Sequence, residues 1–142
     1  MMLATDVATR SKDPSTHVGA IIVGPDNEIR ATGYNGFPRG IQDSDARLVD
    51  RQSRLDFTVH AEPNAIFNAV RIGTSTRGCT LYVAGLPPCH ECAKAMIQAG
   101  IIRVVYKSDD VPERWASSVA LGALLLTEAG VRRSKLVCQP SQ

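Results

Sequence analysis

Apolar residues along the chain fall into short blocks, some at helical spacing and some continuous over the length of a strand. Met2 to Ser11 places Leu3 and Val7 four apart, which predicts a short N-terminal helix with these two on one face. Asp13-Pro14 stops it, because proline disfavours helical backbone in the residue before it. Val18 to Val23 is an apolar run of strand length, Gly24-Pro25-Asp26-Asn27 is dense in turn residues, and Glu28 to Tyr34 returns as a second strand. The two strands form an antiparallel hairpin. Ala61 to Arg71 carries Ala65, Ile66, Ala69 and Val70 at helical spacing, and Gly73 ends it. Cys79 to Ala84 predicts a strand, and Cys89 to Ala99 a helix with Ala93, Met96 and Ile97 inward and Gly100 as its C-terminal cap. Ile101 to Tyr106 is a further strand, Glu113 to Ala129 a helix capped by Gly130, and Val131 to Gln139 a last strand.

Helix, hairpin, then strands alternating with helices is an α/β order. Strands joined by helical crossovers run parallel. The expected fold class is therefore α/β, a mixed five-stranded sheet with helices on both faces, in one domain over residues 1–142. Between Asn35 and Val59 the chain makes a long connection rich in Gly, Pro, Arg and Asp. So long a connection needs local helix or a functional reason, and Leu48, Val49 and Leu55 are expected to anchor a helix in it. Arg39, Arg47, Arg51 and Arg54 interleave with Asp43, Asp45, Asp50 and Asp56, a pattern that predicts a solvated, salt-bridged surface.

Composition narrows the partners. The chain has 142 residues, 44% of them hydrophobic, enough for a real core. A net charge of +2 and 5% aromatics argue against nucleic acid as a partner, because there is little to neutralise phosphates or to stack bases. No run approaches the roughly 20 apolar residues of a membrane span, so no membrane is expected. Asp6 interrupts the short apolar start, Met1 to Ala4, so no secretory leader is expected either.

Two short stretches carry the candidate chemistry, His60-Ala61-Glu62 and Pro88-Cys89-His90-Glu91-Cys92. Zinc favours four tetrahedral ligands drawn from imidazole and thiolate, and a catalytic zinc leaves one of the four positions to water. His60, Cys89 and Cys92 supply three such ligands. Glu62 is then placed to shuttle protons. Pro88 lacks a backbone N–H and suits a helix start, which would put Cys89 and Cys92 one turn apart. Two other readings stay open here. The C-x-x-C pair could be a redox pair, or half of a structural zinc site completed by His60 and one of Cys79, Cys138, His17 or His90. Both leave Glu62 without a purpose. Thiolate ligands must stay reduced, which predicts a cytoplasmic setting.

H-x-E followed by P-C-x-x-C is the motif pair of the zinc deaminases. Ser11-Lys12-Asp13-Pro14-Ser15-Thr16 with Val18-Gly19-Ala20, and Gly33-Tyr34-Asn35-Gly36-Phe37-Pro38-Arg39-Gly40, are similar to further signatures of one branch. On these residues the chain resembles the deoxycytidylate deaminases of the cytidine deaminase superfamily, from Arg10 to about Asp109. The resemblance implies a three-layer α/β/α cytidine deaminase-like fold. It implies Zn2+ held by His60, Cys89 and Cys92, with Glu62 as the catalytic proton carrier. It implies substrate contacts from Asn35 to the sugar, from the backbone around Ala61 to the base carbonyl, and from Ser11 and Lys12 to phosphate. The implied reaction is hydrolytic deamination of dCMP to dUMP with release of ammonia. The branch further implies activation by dCTP, inhibition by dTTP with Mg2+, effector contacts at Gly33, Tyr34, Asn35 and Gly36, and a homo-oligomer, a hexamer or a dimer. A deaminase of another nucleotide, nucleoside or RNA base, and a non-catalytic zinc-stabilised nucleotide-binding module, are the alternatives. Pro63, and a Gly85-Leu86-Pro87-Pro88 approach one residue longer than in some members, depart from the family pattern.

Overall fold

Alternation in the first strand sets the layers. In β1 (Gly19–Val23), Ala20 and Ile22 point into the main core, whereas Ile21 points to the opposite face and packs with Ala4 and Ala84. β1 pairs antiparallel with β2 (Ile29–Tyr34), Gly19 opposite Tyr34, and on its other side antiparallel with β3 (Thr80–Val83). β3, β4 (Arg103–Tyr106) and β5 (Arg132–Lys135) run parallel. The result is a mixed five-stranded sheet in the order β2-β1-β3-β4-β5. The computed structural model describes residues 1–136, so the part of the last expected strand from 137 to Gln139 lies outside the described residues.

One face of the sheet carries α4 (Ala61–Ile72) and α5 (His90–Gln98), joined by Leu126 of α6 (Glu113–Glu128). Ala65, Ala69, Met96 and Leu126 form a single buried core there with Ile22, Leu81 and Val104. The other face carries α1 (Met2–Ala8). The expected hairpin, the parallel crossovers and the flanking helices are all present.

Some expectations need correction. The buried face of α1 is Ala4 and Ala8, while Leu3 is 53% exposed. Gly19 explains this: α1 lies so close to β1 that a Cβ on Gly19 would strike the Ala4 carbonyl and the Ala8 backbone. Only alanine fits at that separation, so the larger side chain turns out. The helix also ends at Ala8, before Pro14, and the N–H groups of Thr9, Arg10 and Ser11 bond back to Asp6, Val7 and Ala8 in a tightened turn. In α4, Val70 lies outside the stripe of Ala61, Ala65, Ile66 and Ala69 and is exposed.

The connection holds two short helices, α2 (Asp45–Val49) and α3 (Arg51–Phe57), not anchored by Val49 and Leu55, which are exposed. Asp50 caps α3 by accepting from the Ser53 N–H at 2.8 Å. The rings of Phe37 and Phe57 meet at 5.5 Å, and the Arg47 guanidinium sits 4.7 Å over Phe57. The interleaved Arg and Asp residues make no ion pairs with one another among the described residues. Their bridges run to the N-terminal segment instead: Arg54 to Asp13 at 3.5 Å and Asp43 to Lys12 at 2.7 Å. Asp50 is engaged at its cap and Arg47 on an aromatic ring, so neither is left for a neighbour.

Gly33 belongs to this framework. It is buried, and a Cβ there would fall on backbone atoms of Ala61, Asn64 and Ala65 in α4. Asn64 and Asn68 donate from α4 to the carbonyls of Tyr34 and Thr32, at 2.8 and 2.6 Å, and stitch the helix to β2. We expect Gly33→Ala to destabilise the fold by about 1–3 kcal/mol through overpacking. Thermal denaturation followed by circular dichroism checks this; an unchanged Tm would mean that α4 can retreat freely.

Candidate metal centre

Both metal-motif helices begin at a candidate ligand. His60 is the N-cap of α4 (φ −66°, ψ 160°) and Cys89 the N-cap of α5 (φ −69°, ψ 169°). Extended backbone at these two positions, before helices on one face of the sheet, aims the side chains at each other. His60 Nδ1 lies 3.3 Å from Cys92 Sγ and 3.6 Å from Cys89 Sγ. All three donor atoms lie within 4.8 Å of one another. A tetrahedral zinc with ordinary Zn–S and Zn–N bonds spaces imidazole and thiolate donors about 3.6 Å apart. The donor set therefore fits a zinc ion in both chemistry and spacing. Among the described residues, His17, Cys79 and His90 are not part of the group. His90 Nδ1 is engaged 2.8 Å from Ser118 Oγ, on α6. No described side chain completes a four-ligand structural site, and Cys138 lies outside the described residues.

Proton affinities at the centre are interdependent. A hydrogen bond from the Cys92 thiol, more than burial opposes and with help from His60, pushes Cys89 down to about 4. Cys92 is correspondingly pushed up, first by holding its proton against Cys89 and then by burial. The contact with Cys89 also raises His60. Glu62, second residue of α4, is 6% exposed, and that burial raises its carboxyl above the ordinary range despite the opposing pull of His60 and of a backbone N–H.

The other expected site residues take different positions. Ala61 is fully buried and can contribute only its backbone N–H, one of the first-turn donors without an intrahelical acceptor. Asn35 is 6% exposed. Its Oδ1 accepts from the Val18 N–H and its Nδ2 donates to the Thr16 carbonyl, both at 2.8 Å. Ser11 is buried too, donating to the Asn35 carbonyl at 2.9 Å. Lys12 is exposed on Asp43. Tyr34 and Gly36 border open space, and a bridge between Gly36 and Val59 sets this loop beside His60. Gly33 does not join them, because α4 occupies the space a ligand would need.

Asn68 and the Asp13–Arg54 pair are contributors that sequence reasoning missed. Two asparagines four apart on one helix face, Asn64 and Asn68, were the available signal for the first. Burial alone would raise Asp13, but the Ser15 and Thr16 N–H groups, the Ser15 hydroxyl and Arg54 together hold it below its ordinary range.

The family model for the cytidine and deoxycytidylate deaminase zinc-binding region matches residues 1–108. The chain belongs to this deaminase family. It is 43% identical to a deoxycytidylate deaminase of Pongo abelii over 144 aligned positions, covering 96% of this chain and 77% of that one. Identity to the deoxycytidylate deaminase of Homo sapiens is 41%, with the same coverage. Among solved structures, the dCMP deaminase of cyanophage S-TIM5 in complex with dCMP and dUMP superposes with a TM-score of 0.75 at 27% identity, covering 95% of this chain and 92% of that one.

Metal uptake by such a centre must expel protons. Zinc needs both thiolates and a neutral imidazole, while the metal-free site keeps a proton on Cys92 and favours one on His60. We expect about one to two protons released per zinc at pH 7, so affinity falls as pH falls. Calorimetric titration in buffers of different ionisation enthalpy measures the number. Zero protons would contradict this protonation pattern.

Proposed function

We propose that this deaminase hydrolyses dCMP to dUMP and ammonia, using His60, Cys89 and Cys92 as zinc ligands and Glu62 as proton carrier. The observation that carries the reading is the convergence of three zinc-type donors beside a buried carboxyl, in a chain of the deoxycytidylate deaminase family. When bound, zinc supplies a water acidic enough to ionise near neutral pH. Glu62 takes up a proton as water adds to carbon 4 of the base and gives it to the ring nitrogen; it then takes the second proton from the new hydroxyl on carbon 4 and gives it to the departing amine, leaving a carbonyl there. Its raised proton affinity suits a group that must hold a proton as well as give it up. The Ala61 N–H, at the positive end of α4, steadies the base carbonyl. Asn35 keeps one donor and one lone pair beyond its structural bonds, enough for a sugar hydroxyl. Ser11 serves by holding Asn35, and Lys12 serves by exchanging Asp43 for the substrate phosphate.

Glu62→Gln should retain zinc and the fold while kcat falls by about 10²–10⁴-fold. Metal analysis beside steady-state kinetics checks both halves; a variant with more than a third of the parent kcat would remove Glu62 from this role. Ammonia release across a panel of nucleosides, mono- and triphosphates tests the substrate. One or two charge-assisted bonds to phosphate should favour dCMP over deoxycytidine by at least about 10-fold in kcat/KM, and equal values would contradict the phosphate contact.

Regulation by dCTP, and by dTTP with Mg2+, in a homo-oligomer extends the same reading. Tyr34 and Gly36 border a cavity of about 160 Å³ with Lys12 and Asp43. They also border one of about 400 Å³ with Arg39, Asn64 and Asn68. The larger has the volume of a small-molecule site. Couplings of about 1–3 kcal/mol are typical and would change affinity 5–150-fold. Substrate saturation with and without dCTP, alongside a mass measurement, is the test: hyperbolic, insensitive kinetics from a monomer would remove regulation and leave the deaminase reading intact.

A further inference from the structure

Among the described helices, α6 alone lies beyond the residues matched by the family model, yet it touches the cysteine loop at two points. Gly122 is the first. A Cβ at this buried position would sit 2.5 Å from the Pro88 carbonyl oxygen, 3.0 Å from the Cys89 carbonyl carbon and 3.1 Å from its oxygen. Pro88 is itself fully buried, so the loop has no room to retreat. The Cys89 carbonyl accepts the Ala93 N–H at 2.9 Å and so opens the helical ladder of α5. Contact with α6 therefore fixes the peptide plane from which the Cys89 side chain projects.

Ser118 is the second point, four residues earlier and on the same face of α6. Its hydroxyl lies 2.8 Å from His90 Nδ1. His90 Nε2 lies 3.2 Å from Glu91 Oε1, a carboxylate oxygen that can only accept. With Nε2 donating to that carboxylate, Nδ1 is left to accept from the Ser118 hydroxyl. This anchor holds the first residue of α5 and turns the His90 imidazole away from the neighbouring metal donors.

We propose that Ser118 and Gly122 are positioning residues for the zinc centre: α6 clamps the Pro88-Cys89-His90 loop, sets the direction of the Cys89 thiolate and keeps His90 from competing as a ligand. The clamp rests on the metal-centre reading above. It touches neither the substrate nor the metal, so its loss acts on metal retention and leaves substrate affinity alone. Contacts that orient metal ligands from outside are commonly worth 10–100-fold in metal affinity.

Zinc competition against a chromophoric chelator tests this on the full chain and four variants. Gly122→Ala pushes a methyl into the loop, Ser118→Ala removes the anchor, and Ser118→Thr restores the hydroxyl. Thr127→Ala is the control: its hydroxyl is exposed on the same helix and, among the described residues, bonds only the Ala123 carbonyl, at 2.8 Å. We expect Gly122→Ala and Ser118→Ala to bind zinc about 10-fold or more weakly, with Ser118→Thr and Thr127→Ala close to the parent. Their kcat should fall with zinc occupancy and recover in excess zinc, while KM for dCMP stays unchanged. If Gly122→Ala does not fold, Ser118→Ala and its threonine rescue decide the matter. A parent that binds zinc while both clamp variants match it within twofold overturns the clamp alone. A parent that binds no zinc overturns the metal centre and the clamp with it.

Discussion

The close seat of α4 on β2 is the contact on which the rest of the site depends. Gly33 clears the space for it, and Ala61, Ala65 and Ala69 line the helix where it meets the sheet. Larger residues along that line would lift the helix and carry His60 and Glu62 outward with it. The same seat buries Glu62, and burial is what raises its proton affinity. Packing and acid–base chemistry are thus one event here. α5 starts on the same face of the sheet, at Cys89, so two helix N-termini, with their unpaired N–H groups and partial positive charge, face one small volume. Thiolate at Cys89 gains from that field.

Much of the fold was legible in the sequence because burial on a sheet enforces a period. β1, β2, α4 and α5 sit within a residue or two of their expected bounds, and the glycines after α4 and α5 adopt the left-handed backbone their positions suggested, φ 73° at Gly73 and 75° at Gly100. The face of α1 was not legible. Hydrophobicity says which residues prefer burial, not how near the partner lies, and Gly19 let the partner come too near for Leu3. The connection misled for a related reason: charge alternation reports that a segment is polar, but not that Arg54 reaches back to Asp13.

At the site, short spacings carried the information. H-x-E and C-x-x-C each place donors within one turn of a helix, so local sequence already limits their geometry. What joins the two motifs is tertiary. Ser118 and Gly122 look like ordinary surface and spacing residues of an amphipathic helix until α6 is seen lying on the Cys89 loop. Asn35 shows the opposite case. The motif names the residue, but not that its amide is already tied to Val18 and Thr16.

The two ion pairs that tie the connection to the N-terminal segment differ in their surroundings. Lys12 and Asp43 are 68% and 41% exposed, whereas Arg54 and Asp13 are 14% and 13% exposed. Mobile ions screen exposed pairs over a Debye length of about 8 Å at physiological ionic strength, and they reach buried pairs far less. Rising ionic strength therefore loosens the first tie while the second holds. The stretch from Gly36 to Val59, which borders both cavities, is fastened at one end by a contact that dissolved salt governs and at the other by one it barely reaches.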